Sequence, residues 1–358
     1  MNNNFDLTNL ALKAICPNNE LIYDDKGLPS VMVKIPKMTY AQLGLGTSTD
    51  VFPAFIVNGV EKDAIYISKY QNIVQFDRAY SLPGEDPRAS INLDTALQVC
   101  KNKGAGWHCM TRMEWALLAL WCKANGTQPY GNNNYGKDSR ESTYKAIPKT
   151  FESDGRTARV ATGTGPLTWS HDRTPSGIWD LNGNVWEWMG GMRTVYGELQ
   201  IFADNNAADN TKSQAASSAE WKAIDATTGA LITPNGSGTT ENSVKMDYIS
   251  SKCVYSTSIT LQEDAGRGCS FEAVSCDDTI TDAAKLVLQA LAMLKADETS
   301  GAYEGDYFYF NNGTSERSFF SGGSWYYGGH AGLFYSGGYN PRSHVSAHIG
   351  FRAAYYEP

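Results

Sequence analysis

The stretch Gly177–Trp188, GIWDLNGNVWEW, constrains this chain more than any other. Asn182-Gly183-Asn184 reads as a tight turn, because Gly and Asn accept positive φ at little cost. Val185, Trp186 and Trp188 follow at once and supply aromatic and apolar bulk for a core. Asp180 and Glu187 bracket the turn with carboxylate oxygens.

The rest of the chain agrees with a fold built from short pieces. It has 34 glycines, 12% aromatic residues and few long periodic segments, which favours short strands and ordered loops over a helical bundle. At 358 residues, with 42% hydrophobic and 19% charged, it has material for a substantial core and little tendency to disorder. A net charge of -8 argues against binding to a phosphate backbone, so no nucleic-acid partner is expected.

The seven cysteines, Cys16, Cys100, Cys109, Cys122, Cys253, Cys269 and Cys276, contain no CxxC pair. They read as buried free thiols rather than a zinc site, with one disulfide open among the last three. Met1–Cys16 lacks the basic start and long apolar run of a classical signal peptide. The apolar stretches Trp115–Cys122 and Leu286–Leu294 are too short or too interrupted to span a bilayer.

Strands are expected at Val31–Ile35 and Ala64–Ile67, and a helix at Asp94–Asn102 that stops at Gly104. Thr111 and Glu114 have the spacing of a capping box. They open a helix whose Trp115, Leu118 and Cys122 share a face and which ends before Gly126. A further helix is expected over Asp282–Ala296, capped by Thr281. Residues 1–30 form an N-terminal segment and residues 31–358 one domain. Residues 195–300 read as an insertion, being rich in Ala, Ser, Thr, Asn and Asp. The tail from Tyr303 reverses that composition. It holds nine of the twenty tyrosines, three of the five histidines and no lysine.

Gly177–Trp188 resembles the G-x-x-D/N-x-x-GN-V/A-WEW segment of the formylglycine-generating-enzyme/sulfatase-modifying family. Gly106–Trp115 (GWHCMTRMEW), Pro129-Tyr130-Gly131, Gly322–Trp325 (GGSW) and Gly350–Arg352 (GFR) resemble its other motifs, in the same order. The resemblance covers about residues 31–196 and 308–356. It implies an α+β domain with the C-type-lectin fold of the formylglycine-generating-enzyme subtype, with few helices and much ordered loop. It also implies a calcium ion held through Asp180, the Gly183 and Val185 carbonyls and Glu187, hard oxygen ligands of the kind calcium takes. Read without the resemblance, the same turn is equally one held by hydrogen bonds alone. No other cofactor is required.

The family's catalytic cysteines lie between its GGSW and GFR motifs. This chain has no cysteine between Trp325 and Gly350, so a thiolate site for a soft metal has no ligands there. His330, His344 and His348 lie on a Gly/Pro/Ser-rich stretch and read as contact residues rather than metal ligands. The chain is therefore expected not to be an enzyme. The alternative is an enzyme or lapsed enzyme of the sulfatase-modifying family.

Tyr326–Ile349, YYGGHAGLFYSGGYNPRSHVSAHI, lies between the last two motifs. Its Tyr, Ser, Gly, Asn and His content is that of antibody paratopes, where tyrosine supplies contact area and glycine and serine supply adaptability. It resembles the variable region of diversity-generating retroelement proteins, in which adenine-directed mutagenesis changes asparagine codons. Tyr326, Tyr327, His330, Ser336, Gly338, Tyr339, Asn340, His344, Ser346 and His348 all hold residues that such changes permit. On this reading a hypervariable region over about 325–352 binds a protein or glycan on a host or neighbouring cell. Trp325, Ala331, Gly332, Phe334, Ile349 and Phe351 hold its backbone. The expected location is a phage tail or a cell surface, without membrane insertion. The oligomeric state is not readable from the sequence.

Overall fold

The computed structural model describes residues 4–358; Met1–Asn3 of the N-terminal segment lie outside the described residues. Helix α1 (Asn4–Ile15) opens the chain and packs beside strand β1 (Asn19–Tyr23). Strands β2 (Pro29–Pro36) and β3 (Ala64–Ser68) cover the two strands expected there. Helix α2 (Leu93–Lys101) starts one residue earlier than expected, because Asn92 caps it: its Oδ1 accepts the Thr95 N–H at 2.8 Å. Strand β4 (Trp107–Cys109) leads into helix α3 (Arg112–Asn125).

The α3 capping box is present in full. Thr111 Oγ1 accepts the Glu114 N–H at 3.1 Å, and Glu114 Oε2 accepts the Thr111 N–H at 2.9 Å. Gly126 closes the helix at φ 64°. Every residue from Arg112 to Leu120 is buried, so α3 is a central helix rather than a surface one.

Beyond α3 the chain runs through strands β5 (Trp186–Val195), β6 (Glu198–Ile201) and β7 (Arg267–Ser270) to helix α4 (Asp282–Ala290). Strands β8 (Tyr307–Phe310), β9 (Arg317–Ser321), β10 (Ser336–Asn340), β11 (Ile349–Phe351) and β12 (Ala353–Tyr355) follow. Helix α4 ends six residues short of the expected Ala296. Arg112 is the physical reason: its Nε and Nη2 donate to the Leu291 and Ala292 carbonyls at 2.8 and 2.7 Å. Ala292 there turns to φ 50°, outside the helical region. Thr281 precedes the helix but caps it with no side-chain hydrogen bond, its hydroxyl donating to Thr227 O instead.

Two sheets carry the molecule. A five-stranded sheet runs in the order β1-β2-β3-β12-β4, so the last strand lies between two early ones. A twelve-stranded sheet contains the run β7-β8-β10-β9-β5-β6, with β11 parallel to β5. The architecture is α+β, with four helices among the described residues, short strands and much ordered loop.

Residues 195–300 do not stand apart from this frame. Strand β6 pairs with β5, β7 pairs with β8, and Leu199, Ile201, Ile224, Val244 and Met246 join the same core as Leu117 and Ile178. Other apolar residues of the stretch, Ile249, Leu261 and Leu286, are exposed. No helix among the described residues is long and apolar enough to cross a membrane. All seven cysteines are free thiols, six of them buried.

Candidate ligand-binding surface

Strand alternation decides which tail residues reach the surface. In β8, Phe308 and Phe310 are buried, while Tyr307 and Tyr309 are half-buried on the opposite face. Strand β10 pairs with β8 in the register Phe308–Ser336, Tyr309–Gly337 and Phe310–Gly338. Ser336 and Gly338 therefore share the inner face with the two phenylalanines, and both are buried. A Cβ at 338 would overlap the Phe319 ring. This corrects the expectation that Ser336 and Gly338 contact a ligand: the period of two puts them on the core side. Tyr339 takes the outer face.

The outer face carries one connected set of aromatic rings centred on Trp186, itself 2% exposed. Its ring lies 5.8 Å from Tyr326, 5.0 Å from Tyr327, 5.1 Å from His348 and 5.7 Å from Phe320. Tyr339 lies 5.3 Å from Phe320 and 4.8 Å from Tyr309, and His330 lies 4.9 Å from Tyr307. Most of these pairs are edge-to-face, the arrangement the ring quadrupoles favour. Five of the expected contact residues, Tyr326, Tyr327, His330, Tyr339 and His348, thus come together from three separate pieces of the tail. Tyr326 and His330 are exposed; Tyr327, Tyr339 and His348 are half-buried. Asn340, His344 and Ser346 are also half-buried, and none of them makes a ring contact with this set.

The backbone beneath is held by residues outside the candidate contact positions. Trp325 is 4% exposed, and its indole N–H donates to Glu152 Oε1 at 2.7 Å. The Trp325 carbonyl accepts the Tyr135 N–H, and the Gly328 N–H donates to Asn133 O. In the loop 341–348, the carbonyls of Arg342, Ser346 and His348 accept the N–H groups of Leu93, Ser90 and Trp186. Arg159 Nη1 adds a bond to Ala347 O at 3.1 Å. These are backbone contacts on the tail side, indifferent to which side chain projects from them. Gly332 is fixed for another reason: a Cβ there would run into the Asp306 carboxyl, which accepts the Phe334 N–H at 2.7 Å.

Burial pushes the His348 imidazole down to about 4 and lowers His344 as well, so both are neutral near pH 7. The ring set contains no carboxylate, ammonium or guanidinium. It is a hydroxyl-tipped aromatic face, with the Glu152 carboxylate at its edge acting on Tyr326 and His348. Among the described residues no group of three or more His, Cys, Asp or Glu is placed to hold a metal.

The four residues expected to hold calcium do converge, but on a side chain. The Gln71 Nε2 donates to Asp180 O at 3.1 Å, Val185 O at 3.0 Å and Glu187 Oε1 at 3.0 Å, with Gly183 O at 3.5 Å. The Glu187 carboxylate is bound at both oxygens by Arg352, at 2.9 and 2.8 Å. The Asp180 carboxyl lies outside this set. Its Oδ2 accepts the Gly163 N–H, its Oδ1 has no partner, and burial pushes it up to about 6. The donor set does not fit calcium: the Gln71 amide nitrogen stands at the centre of the four oxygens and shares its two protons among them, and the Arg352 guanidinium already neutralises Glu187.

Sequence reasoning missed Gln71, Tyr307 and Tyr309. Tyr307 and Tyr309 carried a usable signal, the alternation YFYF in β8. Gln71 carried none, since a lone glutamine in a loop has no pattern.

Among the solved structures similar to this chain are two of low identity. One is PvdO from Pseudomonas aeruginosa, 13% identical over 94% of this chain and 98% of that one, with a TM-score of 0.38. The other is the P3c variant of Major Tropism Determinant, 10% identical over 91% of this chain, with a TM-score of 0.28. This chain spans 63% of its length. No protein-family model matches the chain, and no curated protein matches it.

Proposed function

We propose that this chain is a non-catalytic binding protein with a C-type-lectin frame of the formylglycine-generating-enzyme subtype. Its hypervariable tail site is diversified by a retroelement. The ligand is a protein or glycan on a host or neighbouring cell, and the chain is displayed on a phage tail or a cell surface. The observation that carries this reading is the convergence of Tyr326, Tyr327, His330, Tyr339 and His348 on one aromatic face over Trp186. Rigid, amphipathic aromatic contacts on a backbone held by other residues are what a changeable paratope requires. The buried Ser336 and Gly338 drop out of the contact set, and Tyr307 and Tyr309 join it as an invariable flank.

The test is genetic. Sequencing the flanking DNA should reveal a reverse-transcriptase gene and a near-copy of the Trp325–Arg352 coding segment with adenines at the variable codons. Among related genomes, substitutions should concentrate at the outer-face positions. An isolated gene whose tail is as invariant as its GNVWEW turn would contradict the reading.

A further inference from the structure

Gln71 is fully buried on the loop that follows β3, far in sequence from everything it touches. Its amide nitrogen faces four oxygens of one turn. Its own oxygen is not idle: Oε1 accepts from Asn184 Nδ2 at 2.9 Å. The two ends of the amide are therefore oriented by opposite demands, acceptors around nitrogen and a donor at oxygen, so the assignment is set by the network. Arg352 completes the arrangement. Besides Glu187, its guanidinium donates to Ser68 O at 2.8 Å and Trp179 O at 2.9 Å.

A divalent ion in this cradle would meet two obstacles. The one carboxylate charge facing it, that of Glu187, is already neutralised by a buried guanidinium, so the ion gains little Coulomb energy and approaches a positive group. The Asp180 and Val185 carbonyl oxygens already accept from the Gln71 amide, which an ion would have to displace. Asp180 Oδ1 is a single unpartnered oxygen, and one oxygen does not make a site for an ion that takes six to eight.

We infer that the Gln71 amide and the Arg352 guanidinium together do the work of a structural cation, so that this frame folds without calcium. The consequence reaches the tail. Gln71 holds Asn184, and the Asn184 carbonyl accepts the Trp325 N–H, one residue before the first variable tyrosine. Gln71 is thus a positioning residue for the binding face, and its role stands whether or not that face is diversified.

The experiment is thermal melting of the full chain after exhaustive chelation and again in excess calcium, with metal content measured on the dialysed protein. The two melting curves should coincide and no calcium should co-purify. Gln71→Met, which keeps length and loses every hydrogen bond, should melt lower, and calcium should not restore it. In the wild type, the Gln71 side-chain N–H₂ protons should exchange slowly with solvent. Wild-type melting that falls on chelation and recovers with calcium, or one calcium per dialysed chain, would overturn the inference. So would Gln71→Met melting like wild type, or Gln71 amide protons exchanging at the rate of an exposed glutamine.

Discussion

The ring of Tyr327 stands on the indole of Trp186 at 5.0 Å and 73°, one residue of the tail resting on one residue of the turn motif. The candidate binding face and the turn motif are therefore in direct contact. Changes to the two partners should have different consequences.

Trp186→Ala should unfold much of the frame, at about 3–5 kcal/mol for a fully buried large aromatic. Tyr326→Ala should cost the least, below about 1 kcal/mol, because Tyr326 is the more exposed ring although it also meets Trp186 and His348. Tyr327→Ala and Tyr339→Ala fall between, at about 1 kcal/mol each, since both are half-buried in ring pairs worth roughly that much. Thermal melting of the four variants should give that order.

Gly338→Ala should destabilise by about 1–3 kcal/mol, because the new methyl meets the Phe319 ring in a packed core. Asn340→Ala, two residues on at the strand end, should cost less. Equal melting of Gly338→Ala and wild type would show that β10 is not seated as described.

Two groups, the buried Asp306 and the half-buried His348, give stability opposite slopes with pH. Burial pushes Asp306 up to about 8, so the folded chain keeps a proton that the unfolded carboxyl gives up near 3.8. That contribution is full below about pH 4 and is lost as pH rises through about 8. Asp306→Asn should flatten the profile between about pH 4 and pH 8. His348 acts in reverse. Its folded value of about 4 lies below the ordinary 6.5, so its contribution is full above that ordinary value and is lost as pH falls toward 4. Melting temperature against pH, in wild type and in both single variants (His348→Gln for the second), checks both slopes.

Arg112 ties three regions together: it donates to Leu291 O and Ala292 O and, at 2.8 Å, to Ser321 Oγ just before the GGSW motif. Arg112→Met should leave those buried acceptors unpaired. The expected cost is several kcal/mol, on the order of 1–3 kcal/mol for each group left unsatisfied. Hydrogen exchange at the end of α4 should rise more than in α3.

Much of this was legible in the chain itself, for identifiable reasons. The Thr111–Glu114 box and the Asn182–Asn184 turn are local chemistry, with both partners within a few residues. Each was found where expected, with Gly183 and Asn184 at φ 79° and 62°. The end of α4 was not legible, because the residue that ends it lies 179 positions away. The same is true of Gln71, whose acceptors are more than a hundred residues distant. Ser336 and Gly338 were misplaced because composition names a loop, whereas the pairing of β10 with β8 makes it a strand with two faces. Residues 195–300 read as an insertion by composition, and Leu199, Ile201, Ile224, Val244 and Met246 of that stretch pack in the common core.

The central claim is that the outer-face positions are free to change while the frame holds. A library that randomises Tyr326, Tyr327, His330, Tyr339, His344, Ser346 and His348 together, screened for protease resistance and melting, tests this without any ligand. The account predicts that most members fold and melt near the parent, while a matched library at Trp325, Gly332, Phe334 and Phe351 yields almost none that fold. If the first library unfolds as completely as the second, the tail is core and not a display surface.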